Sequence, residues 1–353
     1  MTKLKKKVVV IGAGHNALTC ASYLAKSGFE VDVHESRSEV GGMACTREFT
    51  EGYKVPGVAH LLHMLNPGIQ KWLGLNKNGL EFAASRLKTI SLNPNGNALV
   101  IDGDHLEGDG ITDQHRAEFK SFKKKTNSLA RFFRSAYQGR PPRIRTDNKK
   151  DFLGLMQTGW NLRTMGNEGM TDMLRFIAIN VFDLLDEYFD DDFIKGSLSI
   201  DAVLGNHLGP RTNNSVITYL HTLTGEIDGV QGAYAIPKGG MSSYTDALKN
   251  SAEKLGVRIV LDSQVEQIIV DDNGKASGVK FTKGNEVGAD VVVSGIDPKS
   301  TFMCLVGARH LEAGFVHKIN NVRMRGNASK LHLALSGLPS FNGVDEKDIG
   351  QRI

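Results

Sequence analysis

A glycine-rich turn near the start of the chain has the residue types and spacing that bind a dinucleotide. The apolar run 8–11 leads into Gly12-Ala13-Gly14 and then into a helix with apolar periodicity. Gly12 permits the tight turn, Gly14 lets the backbone approach a pyrophosphate, and Ala17 replaces the third glycine where the helix packs on the strand. The candidate cofactor-binding residues of this turn are Gly12, Gly14, His15, Asn16 and Ala17.

A carboxylate follows at the distance expected for a ribose contact. Glu35 directly follows the predicted strand 29–34, and Ser36 is beside it. Glu35 stands about 20 residues beyond Gly14, which is the spacing at which an acid binds the ribose hydroxyls of the adenosine. An acid here would repel a ribose 2'-phosphate, which disfavours NADP. The alternative is a solvated carboxylate at the end of a strand.

A second glycine pair favours FAD over NAD. Gly41, Gly42 and Met43 come shortly after Glu35, where a nicotinamide-binding domain would continue directly into its crossover helix. A backbone without side chains can pass close to the pyrophosphate from the other side. The alternative interpretation is an ordinary turn.

The elements that position these residues alternate between strand and helix. The first helix ends at Gly28, so its amino end and macrodipole point at the turn. Much later, Ser242 or Ser243 is predicted to cap a helix that ends at Gly256, and a strand over 257–261 follows. A hairpin is predicted around residues 271–274 and a strand over 290–293. This order predicts an α/β fold.

The chain resembles the phytoene-desaturase-like FAD oxidoreductases. The resemblance rests on VVVIGAGHNALTCASYLAKSGFEVDVHESRSEVGGMACTREF, GYKVPGVAHLLHMLNP, AYAIPKGGMSSYTDAL and ADVVVSGIDP, which together span most of the chain. It implies a glutathione-reductase-type, Rossmann-like FAD domain with an inserted α+β substrate domain. It also implies non-covalent FAD and the oxidation or desaturation of a small-molecule substrate, with a lipophilic one as an option.

A change of composition along the chain predicts that the FAD domain is interrupted and then resumed: residues 1–70 and 226–300 form it, and residues 71–225 and 301–353 form the substrate domain. The resemblance also points to two further residues. The backbone of Val265 would pair with the adenine edge. His60 falls where the family's chain passes near the isoalloxazine and is a weak candidate for a catalytic base, with a structural histidine as the alternative.

The end of the chain departs from the family pattern. Family members continue past the position of Ile353, and their last segment returns to cover the flavin. We therefore expect either a fragment or a shortened protein that has lost part of the flavin site. Residues 330–335 are predicted to form a strand without partners, and a homo-oligomer would be one way to cover exposed apolar surface.

Composition points to a globular enzyme without identifying it. The chain has 353 residues, is 40% hydrophobic and carries a net charge of only +4, so nucleic acid is not an expected partner. No apolar run approaches a membrane span and no secretory signal is evident, which predicts a cytoplasmic location. Cys20, Cys45 and Cys304 lack the paired spacing of a redox dithiol, so we exclude disulfide reduction. No metal site is expected.

Residues 114–150 carry a strong local positive charge. Phe119, Phe122, Leu129, Phe132 and Phe133 lie within this run and are expected to be core. The run could contact an anionic membrane surface or an acidic partner, but a solvated helix face is the more common outcome. Its basic residues are Arg116, Lys120, Lys123, Lys124, Lys125, Arg131, Arg134, Arg140, Arg143, Arg145, Lys149 and Lys150.

Three functions remain open from the sequence. The favoured one is an FAD-dependent oxidoreductase that oxidises a C–C or C–N bond by hydride transfer from the substrate to the flavin. The second is a non-catalytic nucleotide-binding or partner-binding protein with the same fold. The third, an NAD-dependent dehydrogenase, is disfavoured by Gly41 and Gly42.

Overall fold

The computed structural model describes residues 5–96, 98–139, 143, 149–164 and 166–353. The strands are β1 (Lys7–Ile11), β2 (Glu30–His34), β3 (Thr46–Thr50), β4 (Tyr53–Pro56), β5 (Phe82–Ala84), β6 (Thr89–Ser91), β7 (Leu99–Asp102), β8 (His105–Glu107), β9 (Glu226–Ile227), β10 (Val230–Gln231), β11 (Ile236–Pro237), β12 (Arg258–Val260), β13 (Val265–Val270), β14 (Ala276–Phe281), β15 (Glu286–Gly288) and β16 (Val291–Ser294). The α-helices are α1 (His15–Lys26), α2 (Pro67–Leu73), α3 (Asp113–Gln138), α4 (Lys149–Thr164), α5 (Gly166–Ala178), α6 (Val181–Asp186), α7 (Asp192–Val203), α8 (Ser215–Thr222), α9 (Met241–Lys254) and α10 (Ala313–Asn320).

The chain divides into two compact units. Unit 1 comprises residues 1–62, 67–84 and 236–325, and unit 2 comprises residues 63–66, 85–235 and 326–353. These limits differ from the predicted domains: residues 71–84 and 301–325 belong to unit 1, whereas 63–66 and 226–235 belong to unit 2. Strand pairing explains part of the difference, because β5 pairs with β11 in unit 1 and β9 pairs with β10 in unit 2.

Unit 1 is built on a parallel sheet in the order β12-β2-β1-β16. The central strand β1 pairs with both β2 and β16, and Val8, Val9 and Val10 on it are fully buried. A strand buried on both faces reads as a continuous apolar run, which is what the sequence shows here. Because parallel strands share their carboxyl ends, the turns after β1 and β2 meet at one edge of the sheet.

Smaller antiparallel sheets complete unit 1. The strands β13, β14 and β15 form one sheet whose apolar side, with Ile268, Val279 and Phe281, packs in a core that also contains Val9 and Ile11 of β1. The strands β3 and β4 form a hairpin. One face of the parallel sheet that contains β1 is therefore covered by the β13–β15 sheet.

Unit 2 is mainly helical. Its core joins Phe119 and Phe122 of α3 to Leu184 of α6, Ile194 of α7 and Leu220 of α8, all fully buried. The prediction that the apolar residues of the basic run are core is confirmed for Phe119, Phe122 and Leu129, and Phe132 and Phe133 pack partly buried against the same cluster. The strands β6, β7 and β8 form an antiparallel sheet in this unit.

Most of the predicted elements are present, with shifted ends. The predicted hairpin around residues 271–274 joins β13 to β14. The helix expected to be capped by Ser242 or Ser243 is α9, but its N-cap is Gly240, and the Ser242 hydroxyl instead accepts a hydrogen bond of 2.7 Å from the Thr46 amide. The predicted strand over 330–335 is wrong. No described strand pairs with this segment, and Leu331 and Leu333 are exposed.

Candidate functional site

The first glycine turn connects the centre of the parallel sheet to α1. Gly12 has a φ of 88°, which favours glycine, and its amide donates to the His34 carbonyl at 2.8 Å. Gly14 is the N-cap of α1, and no side chain caps this helix or places an acid in its first turn. The first amides of α1 are therefore available to an anion, which the helix macrodipole also favours.

The second glycine turn lies directly against the first. The Gly41 amide donates to the Ala13 carbonyl at 2.9 Å, and a Cβ at Gly42 would come within 3.3 Å of the Gly14 Cα. A Cβ at Gly41 would meet the Thr245 hydroxyl of α9 at 2.9 Å, and Gly41 has a φ of 117°. A side chain at Gly42 would push against the first turn, and one at Gly41 would collide with α9, so the bare backbone at both positions lets the two turns pack together as one cradle.

Glu35 is joined to the first turn rather than left in solvent. It is only 7% exposed, and its Oε2 accepts a hydrogen bond of 2.7 Å from the Ala13 amide. Its Oε1 accepts from the Ser36 hydroxyl and the Arg37 amide at 3.2 and 3.1 Å. A carboxylate has about four acceptor sites, so one is left for a further donor such as a ribose hydroxyl. The solvated alternative for Glu35 is therefore wrong, whereas its ribose contact stays a prediction.

The segment that leads to Val265 runs beside Glu35. The Ser263 amide donates to the Glu35 carbonyl at 2.8 Å, and the Asp262 amide donates to the Arg37 carbonyl at 3.0 Å. Val265 begins β13, is buried and pairs with Phe281. The fold thus brings the predicted ribose and adenine positions onto neighbouring segments, although they are more than 200 residues apart in sequence.

The remaining predicted residues of the cradle differ in exposure. Ala17 is buried, His15 is partly buried, and Asn16, Ser36 and Met43 are exposed. Burial lowers the pKa of His15. These side chains surround the cradle, and their contacts with a cofactor stay predictions.

Two residues of the cradle were not predicted from the sequence. Gly295, in the turn after β16, lies so close to α1 that a Cβ there would be 2.5 Å from the Ala17 Cβ. Thr245 occupies the space beside Gly41. The signature ADVVVSGIDP contained Gly295, so its glycine after a strand was a usable signal, but nothing local marked Thr245 as a neighbour of Gly41.

His34 is a buried histidine beside the site. Its Nδ1 is 2.9 Å from the Ser263 hydroxyl, and its ring centroid is 4.6 Å from that of Phe281. Its Nε2 is buried without a hydrogen-bond partner among the described residues. Burial lowers the pKa of His34, because it disfavours the protonated form of the imidazole.

The structure adds no support for a particular catalytic base. His60 is exposed in the loop after β4, and its role stays a prediction. Cys45 is buried and no cysteine among the described residues forms a disulfide. Those residues also contain no group of three or more histidine, cysteine or acidic side chains placed to hold a metal ion. Among the helices of the described ranges, none combines the length and the hydropathy of a membrane span.

Comparison with known proteins supports a flavoprotein. The family described as flavin containing amine oxidoreductase matches residues 18–340. A rat protein called pyridine nucleotide-disulfide oxidoreductase domain-containing protein 2 is 29% identical over 95% of this chain and 61% of its own length. A phytoene desaturase from Fusarium fujikuroi is 23% identical over 98% of this chain and 60% of its own. The chain thus spans about 60% of the length of these relatives.

Solved structures agree on the fold. An oxidoreductase from Methanosarcina mazei matches with a TM-score of 0.56 at 18% identity, covering 90% of this chain and 65% of that one. At this identity the likeness concerns the fold alone, and it confirms the predicted α/β fold class.

Proposed function

The chain belongs to the flavin containing amine oxidoreductase family, and on that basis we propose that it takes part in an FAD-dependent oxidation in which a hydride leaves an organic substrate. FAD, when bound, supplies the hydride acceptor. The residues of the chain then have to hold the cofactor, orient the substrate and exclude water. The bond that is oxidised is C–N by the family's description, or C–C by the name of the desaturase relative.

The observation that carries this proposal is the double glycine cradle. Gly41 is hydrogen-bonded to Ala13, and Gly42 lies against Gly14, so two backbones and the amino end of α1 converge on one place. Such a place suits a pyrophosphate, which needs close approach and amide donors. Glu35 retains an acceptor site beside it for a ribose hydroxyl.

The first experiment is the visible absorption spectrum of the purified chain with and without added FAD. A flavin spectrum that is lost when a substrate is added without oxygen supports the proposal, and panels of amines and of apolar polyenes would separate C–N from C–C oxidation. Bound flavin that dithionite reduces but no member of either panel reduces would favour the non-catalytic nucleotide-binding alternative. A chain that cannot be loaded with FAD, but whose melting temperature rises with NADH, would overturn it.

One variant tests the cradle without disturbing the fold. Gly14 has a φ of −70°, and a Cβ there meets nothing within 4 Å, so Gly14→Ala should fold normally and yet obstruct the pyrophosphate. Gly314→Ala in α10 is the control, because a Cβ there also meets nothing within 4 Å. We expect FAD uptake to fall at least about tenfold in the first variant only. Equal FAD uptake by the two variants would mean that the cofactor binds away from the Gly14 turn.

We propose further that unit 2 makes a peripheral contact with an anionic membrane surface. The predicted basic run 114–150 lies partly outside the described residues, at Arg140 and Arg145, and ion pairs with Glu226 and Asp172 engage Arg134 and Lys125. Directly after the run, α4 exposes an apolar stripe. Its members Phe152, Leu153, Met156 and Trp160 are 59%, 63%, 59% and 67% exposed.

The spacing and the charge of the residues on α4 favour an anionic membrane surface over a purely apolar partner. Phe152, Met156 and Trp160 are four residues apart and share one helix face, with Lys149 at the beginning of the same helix. Apolar and aromatic side chains flanked by cations match an anionic lipid interface.

Co-sedimentation with vesicles tests the membrane contact. The chain should bind vesicles that contain phosphatidylserine, and it should bind them more weakly at high salt. Trp160→Ser should weaken binding, whereas the control Leu204→Ser, at a similarly exposed position, should not. No binding, together with a concentration-dependent dimer that Trp160→Ser abolishes, would overturn the membrane proposal in favour of a homo-oligomer.

A further inference from the structure

A cavity of about 530 Å³ lies entirely within unit 2. Its wall is formed by α3, α7, α8, the turn between β7 and β8 and the loop around residues 229–234. A volume of several hundred Å³ is typical of small-molecule sites. The apolar part of the wall includes Phe119, Leu198 and Leu223.

One acidic group of the wall is already neutralised. Asp201 Oδ2 accepts from Arg352 at 3.0 Å, and a second contact joins the same two side chains. The Arg352 guanidinium lies 4.5 Å from the ring centroid of Tyr234. Asp201 is thus bound on both oxygens by a cation of its own and does not supply a free negative charge to the cavity.

Lys123 is a charged residue of the wall that has no such partner among the described side chains. Its side chain makes no hydrogen bond or ion pair within the described part of the chain, although it lines the cavity and is only partly exposed. Burial lowers the pKa of its ammonium, and attraction to Asp201 and Asp104 only partly offsets this. Asp104 lies on an exposed turn, where its Oδ1 is 3.4 Å from Nε2 of His105. Arg86, another charged residue of the wall, is exposed and donates a hydrogen bond to the Asp228 carbonyl.

Asn127 is a second polar residue of the wall. It lies one turn after Lys123 on α3 and also lines the cavity. Its Oδ1 is buried without a hydrogen-bond partner among the described residues. The unpaired Lys123 ammonium calls for an anionic ligand. The Asn127 amide oxygen is itself an acceptor, so it can pair with a hydrogen-bond donor of a ligand but not with a carboxylate.

We propose that this cavity binds a small organic carboxylate whose anionic end pairs with the Lys123 ammonium and whose apolar part contacts Phe119, Leu198 and Leu223. A monoanion suits the site because Lys123 supplies one cation from inside the wall, and the guanidinium of Arg352 is engaged by Asp201. The proposal goes beyond the oxidation proposed above, because binding in unit 2 requires neither flavin nor turnover.

Calorimetric titration with benzoate tests the proposal on the full chain. Benzoate should bind wild-type protein with a measurable Kd, and the uncharged benzamide should bind at least tenfold more weakly. Lys123→Met, which keeps most of the length of the side chain but removes the charge, should weaken benzoate binding at least tenfold. The matched control Lys124→Met changes the exposed neighbour on the same helix and should bind benzoate like wild type.

Equal Kd values for benzoate in wild type and Lys123→Met, or equal binding of benzamide and benzoate, would overturn the proposal. If Lys123→Met does not fold, the wild-type chain still gives an answer. Reductive methylation followed by peptide mass spectrometry should show that benzoate slows modification of Lys123 at least severalfold and leaves Lys124 unchanged. Equal rates at Lys123 with and without benzoate would overturn the proposal as well.

Discussion

The Ala13 amide and the Glu35 carboxylate are joined by a buried hydrogen bond of 2.7 Å, although the two residues are 22 positions apart. This bond ties the end of β2 to the turn after β1. The acid expected to recognise a ribose therefore also shapes the turn expected to hold the pyrophosphate. Any change at Glu35 should affect folding stability and cofactor affinity together.

Glu35→Ala should be more harmful than Glu35→Gln. Alanine leaves the buried Ala13 amide without an acceptor, which costs about 1–3 kcal/mol of unfolding free energy. Glutamine keeps one acceptor oxygen for that amide and should lose less than half as much. Denaturant unfolding measures both values. Equal losses in the two variants would mean that the Ala13 hydrogen bond contributes little.

Gly295→Ala should destabilise unit 1 by steric overlap with α1. The added Cβ would come 2.5 Å from the Ala17 Cβ and 3.1 Å from the Ile11 carbonyl oxygen. Overpacking of this kind costs about 1–3 kcal/mol. The second-site change Ala17→Gly removes the nearer of the two atoms, so the double variant should be less destabilised than the sum of the single variants. Additive losses in thermal unfolding would contradict the packing argument.

The ion pair between Asp32 and Arg258 should protect the fold against acid. Arg258 donates to both Asp32 oxygens, at 2.8 and 2.6 Å, and these hydrogen bonds hold the pKa of Asp32 below its usual 3.8. Because the folded pKa is depressed, this stabilisation is present above pH 3.8 and is lost as the pH falls through the folded value.

Arg258→Met removes that protection. It should cost about 1–2 kcal/mol at pH 7, since Arg258 is itself largely exposed, and should move acid unfolding to a higher pH. Arg323→Met, at another exposed position of unit 1, is the control. Unfolding followed by circular dichroism from pH 7 to pH 2 measures the shift. Identical acid midpoints in wild type and Arg258→Met would exclude the effect.

His34 should make the fold less stable as the pH falls below 6.5. Its pKa is lowered by burial, so the unfolded chain binds a proton more readily than the folded chain. The stabilisation is therefore present above 6.5 and is lost as the pH approaches the folded pKa. His15 and His221 are shifted in the same direction and remain in both proteins when His34→Gln is compared with wild type. Melting temperatures from pH 7.5 to 5 should fall more steeply in wild type, and parallel curves would contradict the prediction.

Much of unit 1 could be predicted from local sequence. The predicted flavin cofactor and oxidoreductase family are confirmed by the match over residues 18–340. The apolar run 8–11 predicted β1, the glycines after it predicted the turn, and the apolar periodicity that follows predicted α1, because each of these features depends on neighbours within a few residues. The strand predicted over 330–335 failed because alternating apolar residues form a strand only where a partner strand accepts their hydrogen bonds.

The sequence by itself determined the order of strands, turns and helices and the chemistry of the glycine turns, since backbone conformation and apolar periodicity are local properties. Only the tertiary structure decided that Gly41 lies on Ala13, that Gly295 lies on Ala17, and that Lys123 and Asn127 are left without side-chain partners in a cavity. These relationships depend on which distant segments pack together. A local pattern does not encode them, because burial and pairing are set by all of the elements that surround a side chain.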